Sequence, residues 1–233
     1  MMAKLYGIGT GPGDWELMTL KAVRIIRECG VIAVPASGGR MNAAYDTAKQ
    51  AVPEMDEKNI IRLRMPMTRD EHILKEARKE AASIIMSHLG KGESVAFLTL
   101  GDPSVYSTYM YIHEMIEAEG WEAEMIPGIP SFCAVSARLG QSLTEPDMPL
   151  HIIPASYDVT GECMRLPGNK VFMKSGKHMA GLKEALAELR GADIKAVENC
   201  GMKNERVYMT LEDIDEKAGY FSTVIVREKG EKK

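Results

Sequence analysis

The sequence predicts an α/β protein with a mostly parallel sheet covered on both faces. Three observations carry this. In the first half, short apolar runs alternate with amphipathic stretches of about ten residues or more. Two of the apolar runs end in tight turns, Gly7-Ile8-Gly9-Thr10-Gly11-Pro12-Gly13-Asp14 and Gly101-Asp102-Pro103, as strands do at the carboxyl edge of an open sheet. The chain has 233 residues, 45% hydrophobic and 27% charged, enough for one large or two small domains with real cores.

Element by element, Lys4 to Gly9 reads as a short buried strand. Leu17, Leu20, Val23 and Ile26 recur every three residues, so Thr19 to about Glu28 is predicted as a helix with one apolar face, stopped at Gly30. Val31 to Val34 is the next strand, ended by Pro35. Asn42 to Ala51, rich in alanine, is predicted as a helix, and Ile60 to Leu63 as a short strand. Thr68-Arg69-Asp70-Glu71 has the form of a capping box, and the helix behind it runs to His88 or Leu89, closed by Gly90. Ser94 to Leu100 is a strand, Val105 to Ala118 a helix and Trp121 to Ile126 a strand. The punctuation Pro127-Gly128-Ile129-Pro130 marks a boundary, giving domains 1–126 and 127–233. The second half opens with a helix over Ser131 to Leu139. Strand-like runs follow at Leu150 to Pro154, Val171 to Met173, Ile194 to Val197 and Thr223 to Arg227, with a helix over Met179 to Arg190. This half is predicted to be a mixed sheet. The tail Glu228 to Lys233 is charged and expected to fray.

Charge and composition exclude several classes. Lys+Arg 29 against Asp+Glu 33 gives a formal net charge of -4, without the basic excess of a dedicated nucleic-acid binder. No apolar run approaches the ~18 residues that span a bilayer, and Met1-Met2-Ala3-Lys4-Leu5 runs straight into a strand pattern unlike a signal peptide. Cys29, Cys133, Cys163 and Cys200 show no Cys-x-x-Cys spacing, and the five histidines show no ligand spacing. Neither a zinc site nor a disulfide framework is expected, and the expected compartment is a reducing cytoplasm. The 17 methionines suit adaptable core filling or a flexible lining for a bulky apolar ligand.

The turn after the first strand invites comparison with a dinucleotide fingerprint, but its spacing fails. Counting from Gly7 the third glycine position is Pro12, and counting from Gly9 it is Asp14. Pro12 also removes an amide that would cradle a pyrophosphate. A glycine-rich connection with no ligand remains an open reading of this turn. Asp102 and Pro103 have an equally plain reading, as an N-cap followed by the first helical residue. Beyond them Tyr106, Tyr109 and Tyr111, with Ser107 and Thr108, make a polar and aromatic helix start that suits a flat aromatic ligand.

Four segments occur in order: Gly9-Thr10-Gly11-Pro12-Gly13-Asp14, Leu17-Met18-Thr19-Leu20-Lys21-Ala22, Leu100-Gly101-Asp102-Pro103 and Pro127-Gly128-Ile129-Pro130-Ser131. On these the chain resembles the tetrapyrrole (corrin/porphyrin) methylases, class III S-adenosylmethionine-dependent methyltransferases. The resemblance spans nearly the whole chain, through Glu198-Asn199-Cys200-Gly201-Met202 and Ser222-Thr223-Val224-Ile225-Val226. Within the family, Phe97 to Pro103 continuing into Tyr106-Ser107-Thr108, with Ser131-Phe132-Cys133 and Glu198-Asn199-Cys200-Gly201, resembles the enzymes that methylate carbon 20 of precorrin-2 or cobalt-factor II in cobalamin synthesis. Leu100 departs from the Gly-Gly-Asp-Pro form usual in uroporphyrinogen methylases.

The resemblance implies two α/β domains with the methyl donor, S-adenosylmethionine, bound in the cleft between them. The first domain carries the tetrapyrrole side and the second completes the donor site. It implies donor contacts, many through backbone, at Pro12, Leu100, Gly101, Asp102, Val105, Ser131, Phe132, Met173, Cys200 and Thr223; Phe132 replaces a smaller residue frequent in relatives. It implies a homodimer, with no nucleic-acid or membrane partner and no protein-bound metal. The donor sulfonium already activates the methyl group, so the protein's main work is to place an electron-rich ring carbon in line with it and to keep water out. Carbon 20 must then lose its hydrogen, to water or to a base, for which Asp102, Tyr111 and Tyr106 are the candidates. The acetate and propionate groups of the ring call for local positive charge. Arg40, Arg64, Arg69, Lys174, Lys177 and His178 are the candidates near predicted loops, and Lys174-Ser175-Gly176-Lys177-His178, directly after a strand, is the foremost; an ordinary solvated turn is the other reading of that segment. Another tetrapyrrole methylase, a diphthine synthase and a non-catalytic tetrapyrrole carrier are the competing readings.

Overall fold

The computed structural model describes residues 3–36, 43–155 and 160–228. The chain forms two compact units, residues 1–130 and 131–233. Residues 127–130 belong with the first because the Gly128 amide is hydrogen-bonded to Asp102.

In the first unit the order is β1 (Leu5–Gly9), α1 (Leu20–Glu28), β2 (Val31–Ala36), α2 (Ala43–Ala51), β3 (Asn59–Arg64), α3 (Glu71–Leu89), β4 (Val95–Thr99), α4 (Tyr109–Ala118) and β5 (Ala123–Ile126). The strands pair in the order β3-β2-β4-β1-β5, all parallel. The pleat of β4, buried along its whole length, divides the core. Ala96 and Leu98 face one way, with Ile25, Ile26, Ala44 and Ala48 of α1 and α2. Val95 and Phe97 face the other, with Ala81, Ile85, Ile112 and Ile116 of α3 and α4. Period 2 across the sheet meets period 3.6 on each helix, and each fully buried Leu, Ile or Phe adds ~1.5–3 kcal/mol.

In the second unit the elements are α5 (Ser131–Arg138), β6 (Leu150–Pro154), α6 (Thr160–Cys163), β7 (Asn169–Met173), α7 (Met179–Ala187), β8 (Asp193–Glu198), β9 (Arg206–Tyr208) and β10 (Ser222–Arg227). The order is β6-β7-β10-β8-β9, with β6 and β7 parallel and the other pairs antiparallel. The expected mixed sheet is present.

Several local expectations change. β2 runs through Pro35 to Ala36 rather than ending at Val34. Its pairing with β4 stops at Ala33, so Pro35 has a strand on one side only and its missing N–H is tolerated. The helix α3 is capped by Asp70, which accepts from the amides of His72 and Ile73, while Thr68 serves only the Asp70 amide. The capping box anchored on Thr68 is therefore not formed. α4 begins at Tyr109, four residues later than predicted, and Asp102 does not cap it. α7 ends at Ala187, short of Arg190. The three-residue β9 carries too little alternation to be legible.

Candidate active site

β1 and β4 are neighbours whose chains leave in opposite directions, β1 toward β2 and β4 toward β5. Such a switch point is where open α/β sheets bind ligands, outside the carboxyl ends of the strands. Here the loops after β1, β4 and β5 are pressed into direct backbone contact. The Thr10 amide donates to the Thr99 carbonyl at 2.9 Å, the Gly101 amide to the Gly11 carbonyl at 2.7 Å, and the Gly11 amide back to the Gly101 carbonyl at 3.3 Å. A Cβ on Gly128 would stand 2.2 Å from the Gly101 carbonyl oxygen and 2.8 Å from Gly9 Cα, so no side chain fits at the centre of the junction. Gly101 has φ +77, and the space a side chain would fill there is open.

Asp102 stitches this junction. Its Oδ1 accepts from the Ser104 amide (2.8 Å) and the Ser104 hydroxyl (2.5 Å), forming an Asx turn. Its Oδ2 accepts from the Gly128 amide at 2.9 Å. Pro12 is buried beside Gly11, and Leu100 and Val105 are half-buried around Gly101. The far end of the loop is held by the hydroxyls of Thr99 and Ser107, 3.1 Å apart, with Ser107 also accepting from the Tyr109 amide. Between these ties Tyr106 has φ +47, uncommon for an aromatic residue, and its ring is exposed.

The three tyrosines do not form one surface. Tyr109 is wholly buried: its ring lies over Gly7 and near Phe97, and its hydroxyl is 2.9 Å from His113 Nδ1. Burial pushes its phenol pKa well up. It is a core residue and not part of an aromatic ligand face. Tyr111, two residues on and so nearly opposite on the helix, is exposed, with the Arg78 guanidinium of α3 3.6 Å from its ring centroid. Asp102 and Tyr106 share the loop; Tyr111 is engaged with α3 instead.

In the second unit the remaining donor-contact candidates fall at one edge of the mixed sheet. Thr223 of β10 lies opposite Met173 of β7 and Val197 of β8. The Ser131 hydroxyl, at the start of α5, is 3.3 Å from the Thr223 hydroxyl. Phe132 is buried next to it. Cys200 is buried just past β8, after Asn199 with φ +52. Glu198, at the end of β8, is a tie that sequence reasoning missed: it accepts from the Gly219 amide at 2.6 Å and the Tyr208 hydroxyl at 3.1 Å.

Lys174 follows β7 with φ +59, its ammonium 5.9 Å from the Tyr220 ring centroid. Burial lowers its pKa. His178 is exposed at the end of a short 3-10 turn. Arg64 ends β3 and Arg69 lies in the turn before α3, both exposed. Arg40 and the Lys177 side chain lie outside the described residues. Among the described residues no group of three or more His, Cys, Asp or Glu is placed to hold a metal ion, and no helix is long and apolar enough to cross a membrane.

A parallel sheet with loops joined at its switch point, followed by a mixed sheet with the Ser131 and Thr223 hydroxyls paired at the end of its strands, defines a two-unit α/β protein. The chain belongs to the tetrapyrrole (corrin/porphyrin) methylases, whose family model matches residues 4–215. It is 32% identical over 97% of its length to a probable cobalt-precorrin-2 C(20)-methyltransferase of Methanocaldococcus jannaschii, of which it covers 97%. It is 31% identical over 97% of its length to a precorrin-2 C(20)-methyltransferase of Sinorhizobium, of which it covers 95%. Among solved structures it is similar to a cobalt precorrin-4 methyltransferase, with a TM-score of 0.76, 19% identity and coverage of 96% of this chain and 94% of the other. It is also similar to the uroporphyrin-III C-methyltransferase of Thermus thermophilus complexed with S-adenosyl homocysteine, with a TM-score of 0.71, 20% identity and coverage of 97% and 98%. At these identities the two structures speak to the fold.

Proposed function

We propose that this protein transfers the methyl group of S-adenosylmethionine to carbon 20 of a precorrin-2-type ring, in the assembly of the corrin ring of cobalamin. The observation that carries the reading is similarity at 31–32% along nearly the whole length of two relatives named for that reaction. The residues expected to contact the donor group themselves at two sheet edges: Pro12, Leu100, Gly101, Asp102 and Val105 on the first, Ser131, Phe132, Met173, Cys200 and Thr223 on the second.

The chemistry of the donor fits these residues. Backbone at Gly101 faces open space, as a backbone contact needs; the Ser131 and Thr223 hydroxyls offer polar contacts, and Leu100, Val105 and Met173 offer apolar ones. When bound, the donor supplies a methyl group on a positively charged sulfur. The work left to the chain is to orient donor and ring and to exclude water, and orientation of this kind lowers a barrier by ~7–11 kcal/mol in favourable cases. No covalent intermediate on a cysteine is needed. Of the three expected proton acceptors, Asp102 already accepts three hydrogen bonds within the protein, Tyr111 is engaged by Arg78, and the Tyr106 ring is exposed to solvent. We assign the departing proton to water, which suffices because the methylated cation is acidic. Lys174, half-buried at the second edge, is the foremost partner for a ring carboxylate, with Arg40, Lys177 and His178 beside it in the proposal. A cytoplasmic homodimer completes the reading.

The test is anaerobic turnover of purified protein with S-adenosylmethionine and, separately, metal-free precorrin-2 and its cobalt-bearing counterpart, the new methyl being located by NMR. One methyl at carbon 20 is the expected result, and the faster substrate tells which form of the ring is used. A methyl at another carbon would move the protein elsewhere in the family. No transfer to either ring, with tight donor binding, would favour a diphthine-type acceptor.

A further inference from the structure

We infer that Asp102 is a positioning residue, a carboxylate clip that holds the loop after β5 against the loop after β4 and so shapes the donor-facing edge of the first sheet. The inference deepens the methyl-transfer reading and rests on it for the word donor; the clip itself rests on geometry alone.

Both carboxylate oxygens accept hydrogen bonds inside the protein. Oδ1 accepts twice from Ser104, at 2.8 and 2.5 Å, and Oδ2 accepts from the Gly128 amide at 2.9 Å, across 26 positions of sequence. The Gly128 contact is the one that reaches between strands. It fixes the Pro127–Pro130 segment where its backbone touches Gly9 and the Gly101 carbonyl, at distances that leave no room for a Cβ. The Gly101 carbonyl in turn accepts from the Gly11 amide, and the Gly101 amide donates to Gly11. One carboxylate thus completes a ring of contacts through the three loops after β1, β4 and β5. The rest of the β4 loop is fixed independently by the Thr99–Ser107 hydroxyl pair and the bond from the Tyr109 amide to Ser107. Removing the clip therefore frees the Gly128 side of the junction rather than unravelling the whole loop. A carboxylate so engaged orients backbone; Oδ2 keeps one acceptor position beyond its bond from Gly128, and the pH dependence of kcat separates orientation from proton transfer.

A neutral amide cannot replace it. In Asp102→Asn one of the two positions becomes an N–H donor, so either Gly128 or Ser104 faces a donor instead of an acceptor. In Gly128→Ala the carboxylate stays and the junction is forced open from the other side.

The experiment measures four quantities in wild type, Asp102→Asn and Gly128→Ala. They are amide exchange at Gly128, affinity for S-adenosyl homocysteine by calorimetry, kcat at saturating donor, and the pH dependence of kcat. The clip predicts Gly128 exchange at least tenfold faster in Asp102→Asn, donor Kd raised about tenfold or more in both variants, kcat within about threefold of wild type, and an unchanged pH profile. Donor Kd unchanged in Asp102→Asn, with kcat down a hundredfold or more and the acid limb lost from the pH profile, would overturn the clip in favour of a proton acceptor. Wild-type donor affinity in Gly128→Ala would overturn it as well. If Asp102→Asn does not fold, Gly128 exchange in the wild type decides: strong protection is expected from the Asp102 bond, and exchange as fast as that of an exposed amide overturns the clip. If the wild-type protein methylates no tetrapyrrole, the proposed function fails while Gly128 exchange still tests the clip.

Discussion

The Lys170 ammonium is wholly buried and lies 2.7 Å from Oε1 of Glu228, whose Oε2 accepts from the Gly168 amide at 2.8 Å. The Glu228 amide donates to the Asn169 side chain, and Lys170 donates also to the Gly168 carbonyl. A carboxylate just past the last strand thus neutralises a charge buried in β7. Glu228→Gln should cost about 3 kcal/mol or somewhat less, because a buried lysine left without its counter-ion carries its full desolvation penalty while the partly exposed carboxylate is screened. Lys170→Met, which removes the charge and keeps the stem, should cost much less. Burial acts against the charged form of Glu228, but the hydrogen bonds from Lys170 and Gly168 outweigh it and hold the carboxyl below its usual range. A depressed carboxylate stabilises above its unfolded pKa of ~4.3 and loses that stability as pH falls through the folded value. Urea titrations should therefore show the gap between wild type and Glu228→Gln widest near neutrality and closing in acid.

The Tyr109 ring occupies the place a side chain at residue 7 would need, 2.2 Å from the position of its Cβ. Gly7→Ala should destabilise by about 1–3 kcal/mol or more through overpacking. Tyr109→Phe, which keeps the ring and leaves His113 without its buried partner, should cost ~1–3 kcal/mol. Chemical denaturation of the two variants checks both, and a Gly7→Ala protein as stable as wild type would show that the ring has another place to go.

What the sequence displayed depended on how local the cause was. The five buried residues of β4 and the Thr19 cap of α1, which accepts from the Ala22 amide, act over a few positions and are visible as pattern. The start of α4 is not, because Asp102, the apparent cap, is drawn to Gly128 in another loop. Asp70 displaces Thr68 as the cap of α3 by standing one residue from the helix. Tyr109 and Tyr111 read alike as sequence but face opposite ways on a helix. At the candidate site, the residues at the second edge were readable only through family resemblance. Lys174 was legible as the cation directly after a strand, whereas Glu198 and Asn199 gain their meaning there from strand register and positive φ, which no spacing encodes.

Lys174 should govern substrate rather than donor. Lys174→Met is expected to raise KM for the tetrapyrrole about tenfold, as loss of one charge-assisted contact would, with S-adenosyl homocysteine affinity unchanged. Burial disfavours the charged form of this lysine, so its proton leaves at lower pH than from an exposed lysine. Wild-type KM should rise as pH increases through that lowered pKa, and the Lys174→Met profile should be flat over the same range. A parallel rise in both would place the carboxylate partner elsewhere.

The hydroxyls of Ser131 and Thr223, 3.3 Å apart, offer the sharpest test of the second edge. Thr223→Val keeps the volume and the β-branch that suit strand β10, so the fold should be retained with little change in melting temperature. What is lost is the hydroxyl proposed to face the donor, which is also the partner of Ser131. A net hydrogen bond of ~1 kcal/mol corresponds to roughly a fivefold weaker donor Kd. Ser131→Ala should weaken binding by a similar factor. Because each hydroxyl helps orient the other, the double variant should lose less than the product of the two factors. Calorimetry of the four proteins with S-adenosyl homocysteine closes that cycle. Strictly multiplicative losses would mean that each hydroxyl meets the donor alone, and unchanged affinity throughout would remove this edge from the donor site.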